Sequence, residues 1–340
     1  MSAPRIGIVG ATGAVGREVL RILEERRFEV AELRPIASRA DGRTVPFNGE
    51  ELPVVAIGDA AFDGLDLAIW DTPDEVAAEW VPLVRDRVLS IDNSAQFRLR
   101  DDVPLVIPEI NPDAAATHSG IIANPNCTMM TLILPLAPLH RAFGASRVIA
   151  SSYQSTSGAG VGGPAELFSQ IDESAAQREA IALGQLKVSD PKAFTHPIAF
   201  NIIPRVGGFD GSGSTSEERR VALETNKVLD ASIAIFATAV RVPTIVGHGI
   251  SAWISFDAEV TADAAREVLA AAAGVLVEDD PASNRYPTTL AASGGDKAIV
   301  GRIRRDPSDA RALAFFSTCD NLRKGAALNT VQIAELVTRS

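Results

Sequence analysis

At 340 residues the chain is long enough for two packed domains, because single hydrophobic cores usually stop growing near about 250–300 residues. Its 43 Asp plus Glu against 32 Lys plus Arg give a formal net charge of −11, which favours solubility and argues against a nucleic-acid surface. Two cysteines, Cys127 and Cys319, fit reduced thiols rather than a disulfide scaffold, and no apolar run reaches the ~20 residues that a membrane-spanning helix needs.

Met1-Ser2-Ala3-Pro4-Arg5 leads into an apolar strand rather than a signal-peptide core, so a cytoplasmic location is expected. Residues 5–9 read as a short buried strand, and 14–25 as a helix with Val15, Val19, Leu20 and Leu23 on one stripe. Further strands are predicted at 30–37, 65–70 and 88–92, with a helix at 74–85 between the last two. This alternation predicts an α/β unit, a Rossmann-type doubly wound parallel sheet. The pattern changes at Asn124, where a long apolar segment over 129–140 leads into a strand at 147–153; the domain boundary is placed there. Strand-like runs at 232–242, 250–260, 298–304 and 313–317, with a helix at 262–273, predict a second, α+β domain. The Gly- and Ser-rich stretch 207–216 reads as a surface loop and 329–338 as an amphipathic helix.

Gly7-Ile8-Val9-Gly10-Ala11-Thr12-Gly13-Ala14-Val15-Gly16 places small residues where the first strand turns into a helix. In that context the backbone of Gly10, Thr12, Gly13, Ala14 and Val15 is expected to approach a dinucleotide pyrophosphate at the positive end of the helix. The second strand ends at Ile36-Ala37-Ser38-Arg39, without the acidic residue that grips a ribose 2′-hydroxyl. An arginine there pairs with a 2′-phosphate, so Ser38 and Arg39 point to NADP rather than NAD. Cys127 follows Asn124-Pro125-Asn126 and opens an apolar helical pattern. At a helix N-terminus the dipole lowers a thiol pKa, which marks Cys127 as a nucleophile and leaves Cys319 as core filling.

Taken together, Gly10-Ala11-Thr12-Gly13, Asp92-Asn93-Ser94, Ala123-Asn124-Pro125-Asn126-Cys127, Tyr153-Gln154 and Ser157-Gly158-Ala159-Gly160 resemble the aspartate-semialdehyde dehydrogenase family in order and spacing. Arg241-Val242-Pro243, Gly247-His248 and Asp320-Asn321-Leu322-Arg323-Lys324-Gly325 extend the resemblance over nearly the whole chain. The resemblance implies NADPH-dependent reductive dephosphorylation of L-aspartyl 4-phosphate to L-aspartate 4-semialdehyde, on the route to lysine, methionine and threonine. By the same match Cys127 carries a thioester and His248 is the acid/base. Arg98 holds phosphate, Arg241 the α-carboxylate, Glu217 the ammonium, and Gln154 orients the substrate. Asn126 is expected to help stabilise the oxyanion, while Ser157, Gly158 and Asn321 match cofactor contacts. No metal, nucleic acid or membrane partner is implied; a homodimer is, with a tetramer as the alternative.

Three stretches depart from the family pattern. Arg220 stands where a lysine is usual, Asp71-Thr72-Pro73 replaces a small Ser-Ala-Gly stretch near the cofactor, and Met129 and Met130 follow the cysteine where smaller or polar residues are common. Competing readings are a sister acyl-phosphate or acyl-thioester reductase, of the N-acetylglutamyl-phosphate or malonyl-CoA type, and a catalytically silent NADP-binding paralogue. The expected organisation is an NADP-binding domain over 1–126 with the segment 320–340 packed back onto it, and a catalytic and dimerisation domain over 127–319.

Overall fold

Short strands buried on both faces, alternating with amphipathic helices, form the first of two units in the computed structural model, which describes residues 3–338. This unit comprises Met1–Met130, Leu223–Ser232 and Leu322–Ser340. Its elements are β1 (Arg5–Val9), α1 (Ala14–Glu25), β2 (Glu32–Ala37), a hairpin of β3 (Thr44–Phe47) and β4 (Glu50–Pro53), β5 (Val55–Ala56), β6 (Leu67–Trp70), α2 (Asp74–Val84), β7 (Leu89–Asp92) and β8 (Ile121–Ala123). The sheet runs β5-β2-β1-β6-β7-β8 with every pairing parallel, as the alternating pattern predicts. Strand order reverses across β1 and β6, and in such sheets the crevice at the carboxyl ends of those strands receives ligands.

Ile6, Ile8 and Ile69 from the sheet share one apolar cluster with Val19, Leu20 and Leu23 from α1 and with Leu328, Val331 and Ile333 from the C-terminal helix, Leu328–Thr338. The stripe on α1 thus faces the sheet, and the last helix of the chain completes the same layer. A π-helical turn, Arg323–Ala327, leads into that helix. Its fully buried Lys324 gives its three protons to Glu109, Asn329 and Gln332 at 2.7–2.9 Å, so the buried charge is paired and hydrogen-bonded.

The second unit comprises Thr131–Ala222 and Ile233–Asn321. The segment Leu223–Ser232, inside the range expected for the second domain, clusters with the first unit. Helix α3 (Cys127–Phe143) leads into β9 (Ala145–Gln154), followed by α4 (Gly162–Ser174), α5 (Arg178–Ala182), α6 (Ser216–Leu229), β10 (Ala234–Arg241), β11 (His248–Phe256), α7 (Ala262–Ala270), β12 (Val275–Val277), α8 (Thr289–Ala292), β13 (Ala298–Asp306) and β14 (Asp309–Cys319). Strand order is β10-β9-β11-β14-β13-β12, parallel at β9/β10 and β12/β13 and antiparallel elsewhere. This is the mixed sheet of an α+β domain. Among the described residues no helix is long and apolar enough to cross a membrane.

Candidate active site

The glycine turn after β1 is shaped by main-chain crowding. Gly10 has φ +91°, and a Cβ there would lie 2.0 Å from the carbonyl oxygen of Asp71 at the end of β6. A Cβ on Gly16 would lie 2.3 Å from the Gly10 carbonyl, and one on Gly13 would meet both that oxygen at 3.2 Å and Asp71 Oδ2 at 3.3 Å. Only glycine suits positions 10 and 16, whereas a Cβ at 13 would be tight but not excluded. Gly13 is the N-cap of α1 and makes no side-chain cap bond, and the first turn holds no acidic residue. Thr12, Gly13, Ala14 and Val15 therefore present main chain at a helix N-terminus, the arrangement that receives a pyrophosphate. Ser38 and Arg39 are exposed just beyond β2. Arg43, which sequence reading passed over, donates to the Arg39 carbonyl and lies 3.4 Å from Thr12 Oγ1, placing its guanidinium at this corner.

Asp71, flagged above as a departure, faces the turn, with Oδ2 3.3 Å from where a Cβ on Gly13 would lie. Burial pushes its carboxyl up to about 6; Asp92 adds to the rise and a Gly16 N–H opposes it. Asp92 at the end of β7 is fully buried and also pushed up to about 6, mainly by burial, with Ser94 Oγ donating to it at 2.5 Å.

Still within the first unit, Cys127 is half-buried and is the first residue of α3. The Asn126 side-chain oxygen accepts from the N–H groups of Thr128 at 2.8 Å and Met129 at 3.1 Å, capping the helix that starts at the thiol. The Asn126 main-chain N–H donates to Glu224 at 2.7 Å. Glu224 is fully buried and its other oxygen lies 3.4 Å from Arg98 Nη1; Arg98 also donates to the Asn93 carbonyl at 2.6 Å. Glu224 was not anticipated, because a glutamate in a helical pattern ordinarily reads as a solvated face. Met129 and Met130 are fully buried.

In the second unit, Gln154 and Arg241 are register partners at the ends of β9 and β10, and His248 opens β11 beside them. Gln154 Nε2 donates to Glu217 at 3.3 Å, and both residues are buried. Arg220 lies half-buried one turn further along α6. Arg241 Nη1 donates to the Ser155 carbonyl at 2.6 Å. A Cβ on Gly158 would lie 2.7 Å from Arg241 Nη1 and 3.1 Å from His248 Cε1, so this glycine keeps the space between the two open. Burial, and secondarily Arg241, hold the fully buried His248 well below its ordinary pKa, so the ring is neutral at pH 7. Asn321 Oδ1 accepts from Gly247 N–H and Ser155 Oγ, each at 2.9 Å, while its Nδ2 donates to Ser157 Oγ at 3.0 Å. Asn321 and Ser157 are thus bonded to each other behind the histidine. Ser155, which joins them to His248, was not singled out in the sequence, where nothing local marks it.

A Rossmann-type unit with a glycine turn at a helix N-terminus and a cysteine opening a second helix, joined in one chain to a mixed-sheet unit carrying a buried His–Arg cluster, fits the semialdehyde dehydrogenase class. Two family models match accordingly: semialdehyde dehydrogenase, NAD binding domain, over residues 5–118, and semialdehyde dehydrogenase, dimerisation domain, over 136–324. The aspartate-semialdehyde dehydrogenases of Aquifex aeolicus and Mycolicibacterium smegmatis are 41% and 42% identical, with 98% of each chain covered. The crystal structure of aspartate semialdehyde dehydrogenase II from Vibrio cholerae superposes with a TM-score of 0.93 at 36% identity, covering 100% of this chain and 99% of that one. The chain belongs to the aspartate-semialdehyde dehydrogenase family.

Proposed function

We propose that the chain reduces L-aspartyl 4-phosphate with NADPH, releasing phosphate and L-aspartate 4-semialdehyde, through a thioester on Cys127 with His248 as acid and base. The observation that carries this reading is the cysteine turn: a half-buried thiol at the positive end of α3, its preceding residue engaged through main-chain N–H and side-chain oxygen. Cys127 attacks the acyl-phosphate carbon; the C–S bond forms as the C–O bond to phosphate breaks, dividing one difficult reduction into two easier steps. When bound, a dinucleotide would supply the hydride that reduces the thioester carbon. Having taken the Cys127 thiol proton, His248 as acid gives it to the oxyanion that results and as base takes it back as the thiohemiacetal collapses to aldehyde and thiolate. A histidine held neutral at pH 7 suits that second role.

The other side chains have jobs set by the substrate's charges. Arg98 and Arg220 hold phosphate, Arg241 clamps the α-carboxylate, Glu217 receives the ammonium, and Gln154 and Asn126 orient the carbonyl. The glycines at 10 and 16 leave no room for a Cβ against the main chain they face, which fits a dinucleotide over the turn. Ser157, Gly158 and Asn321 are assigned to the nicotinamide end and Ser38 with Arg39 to a 2′-phosphate, so NADP is favoured. The cofactor domain is assigned to 1–126 plus 320–340 and the catalytic and dimerisation domain to 127–319. A homodimer is favoured by the matched dimerisation domain and by exposed apolar register partners on the β9–β10 edge, Ile149 and Phe236. A substrate panel tests the reading. Phosphate-dependent reduction of NADP with aspartate semialdehyde, and not with N-acetylglutamate semialdehyde or malonate semialdehyde, is expected; preference for either rival aldehyde would overturn the substrate assignment.

A further inference from the structure

His248 Nδ1 has two neighbours at the same distance with opposite demands. The Ser155 main-chain N–H donates to it at 3.1 Å, which requires a lone pair on Nδ1 and so puts the ring proton on Nε2. Ser155 Oγ also lies 3.1 Å from Nδ1. That hydroxyl gives its own proton to Asn321 Oδ1 at 2.9 Å. Asn321 cannot be turned round, because the Gly247 N–H at 2.9 Å faces the same atom and needs an oxygen there. With its proton committed, Ser155 Oγ offers lone pairs to an Nδ1–H. All three residues, Ser155, Asn321 and His248, are buried, so no bulk water substitutes for either partner.

The far side of the ring favours one of the two arrangements. A Cβ on Gly158 would lie 3.3 Å from Nε2 and 2.7 Å from Arg241 Nη1, so a guanidinium and Nε2 border the same small space. A cation there is better placed against a lone pair than against a second N–H. A base acting through Nε2 needs that lone pair. We propose that Ser155 selects the tautomer of His248: its hydroxyl, held by Asn321, keeps the ring proton on Nδ1 and leaves Nε2 to accept and return the proton of the reaction. This makes Ser155 and Asn321 positioning residues, and it rests on the reading of His248 as acid/base.

The test is Ser155→Ala, which keeps the main-chain N–H and removes only the hydroxyl. In the wild type, NMR of nitrogen-labelled histidine is expected to find the His248 proton on Nδ1, and in Ser155→Ala on Nε2. The variant should lose at least about tenfold in kcat while KM for the aldehyde changes by less than about twofold, because a positioned acid/base group acts on the reacting state. A wild-type ring already protonated on Nε2 overturns the proposal, and needs no variant to fold. An Nδ1 proton that persists in Ser155→Ala, or an unchanged kcat, overturns it too. His248→Ala separates the two levels. Full activity there removes the acid/base role itself, whereas an inactive His248→Ala beside an unaffected Ser155→Ala removes only the tautomer selection.

Discussion

The glycine turn of the first unit and the histidine cluster of the second solve the problem of placing polar groups in opposite ways. The turn is made by leaving side chains out, so that main-chain carbonyls at Gly10 and Asp71 approach within the space a Cβ would occupy. The cluster is made by interlocking buried side chains, with Asn321, Ser155, Arg241 and His248 each fixed by another. Main chain cannot move aside without moving a strand, whereas the end of an arginine can shift by giving up a hydrogen bond such as that from Arg241 to the Ser155 carbonyl. The turn should therefore fail all at once, and the cluster by degrees.

Gly10→Ala should produce the largest effect. It forces a methyl to 2.0 Å from the Asp71 carbonyl at φ +91°, a conformation that itself costs about 1–3 kcal/mol for a non-glycine residue. Dinucleotide binding should be lost, together with several degrees of melting temperature; calorimetric binding alongside thermal denaturation checks both. Near-normal binding would mean that the turn is not rigid. Gly158→Ala introduces a similar clash, 2.7 Å, but against the Arg241 side-chain terminus. Steady-state kinetics should show a graded loss of roughly tenfold in kcat/KM, about 1.4 kcal/mol, with little change in stability. Complete inactivity would show the cluster to be as unforgiving as the turn.

Smaller effects should come from charges around the turn. Asp71, at about 6, is neutral below that pH and anionic above it, so dinucleotide phosphates should bind less tightly as pH rises through 6. Asp71→Asn removes that anion and should bind about three- to tenfold tighter at pH 8 but equally at pH 5, since one removed like charge near a partly buried site is worth about 1 kcal/mol. The comparison is made variant against wild type at each pH, because a ligand 2′-phosphate also titrates near pH 6. A constant ratio across pH would remove Asp71 from the cofactor's field. Arg43→Ala should lower the NADP-over-NAD affinity ratio by about five- to tenfold, the scale of one exposed guanidinium–phosphate contact; an unchanged ratio would leave 2′-phosphate recognition to Arg39 alone.

How far the sequence could be read follows the same division. β1, α1 and the glycine turn are local features: buried strands, one helical stripe and small residues at fixed spacing all lie within about 20 consecutive positions. The β3–β4 hairpin was equally readable, since Asn48-Gly49 has positive φ at both residues, 50° and 80°, and Asn-Gly between strands is a strong hairpin signal; it was not predicted. The start of α6 carries a reciprocal cap, with Glu218 accepting from the Thr215 N–H and Thr215 Oγ1 from the Glu218 N–H. β5 and β8 are two and three residues long, too short for any periodicity. The pairing of Ser155 with Asn321 spans 166 positions, and that of Glu224 with Asn126 spans 98. No local pattern announces contacts of that kind. The Asn-Pro-Asn turn singled out Cys127 and family resemblance singled out His248 and Arg241, but neither gave an account of what holds them.

The central claim is the thioester on Cys127, and the most direct measurement is a rapid-mixing burst with aspartate semialdehyde and NADP in the absence of phosphate. A single equivalent of NADPH per site is expected, formed quickly and then stalled, with an aspartyl adduct on the Cys127 peptide by mass spectrometry. Adding phosphate should restart turnover, and Cys127→Ser should give neither burst nor adduct. Steady NADPH production without phosphate, or a burst that survives in Cys127→Ser, would contradict it.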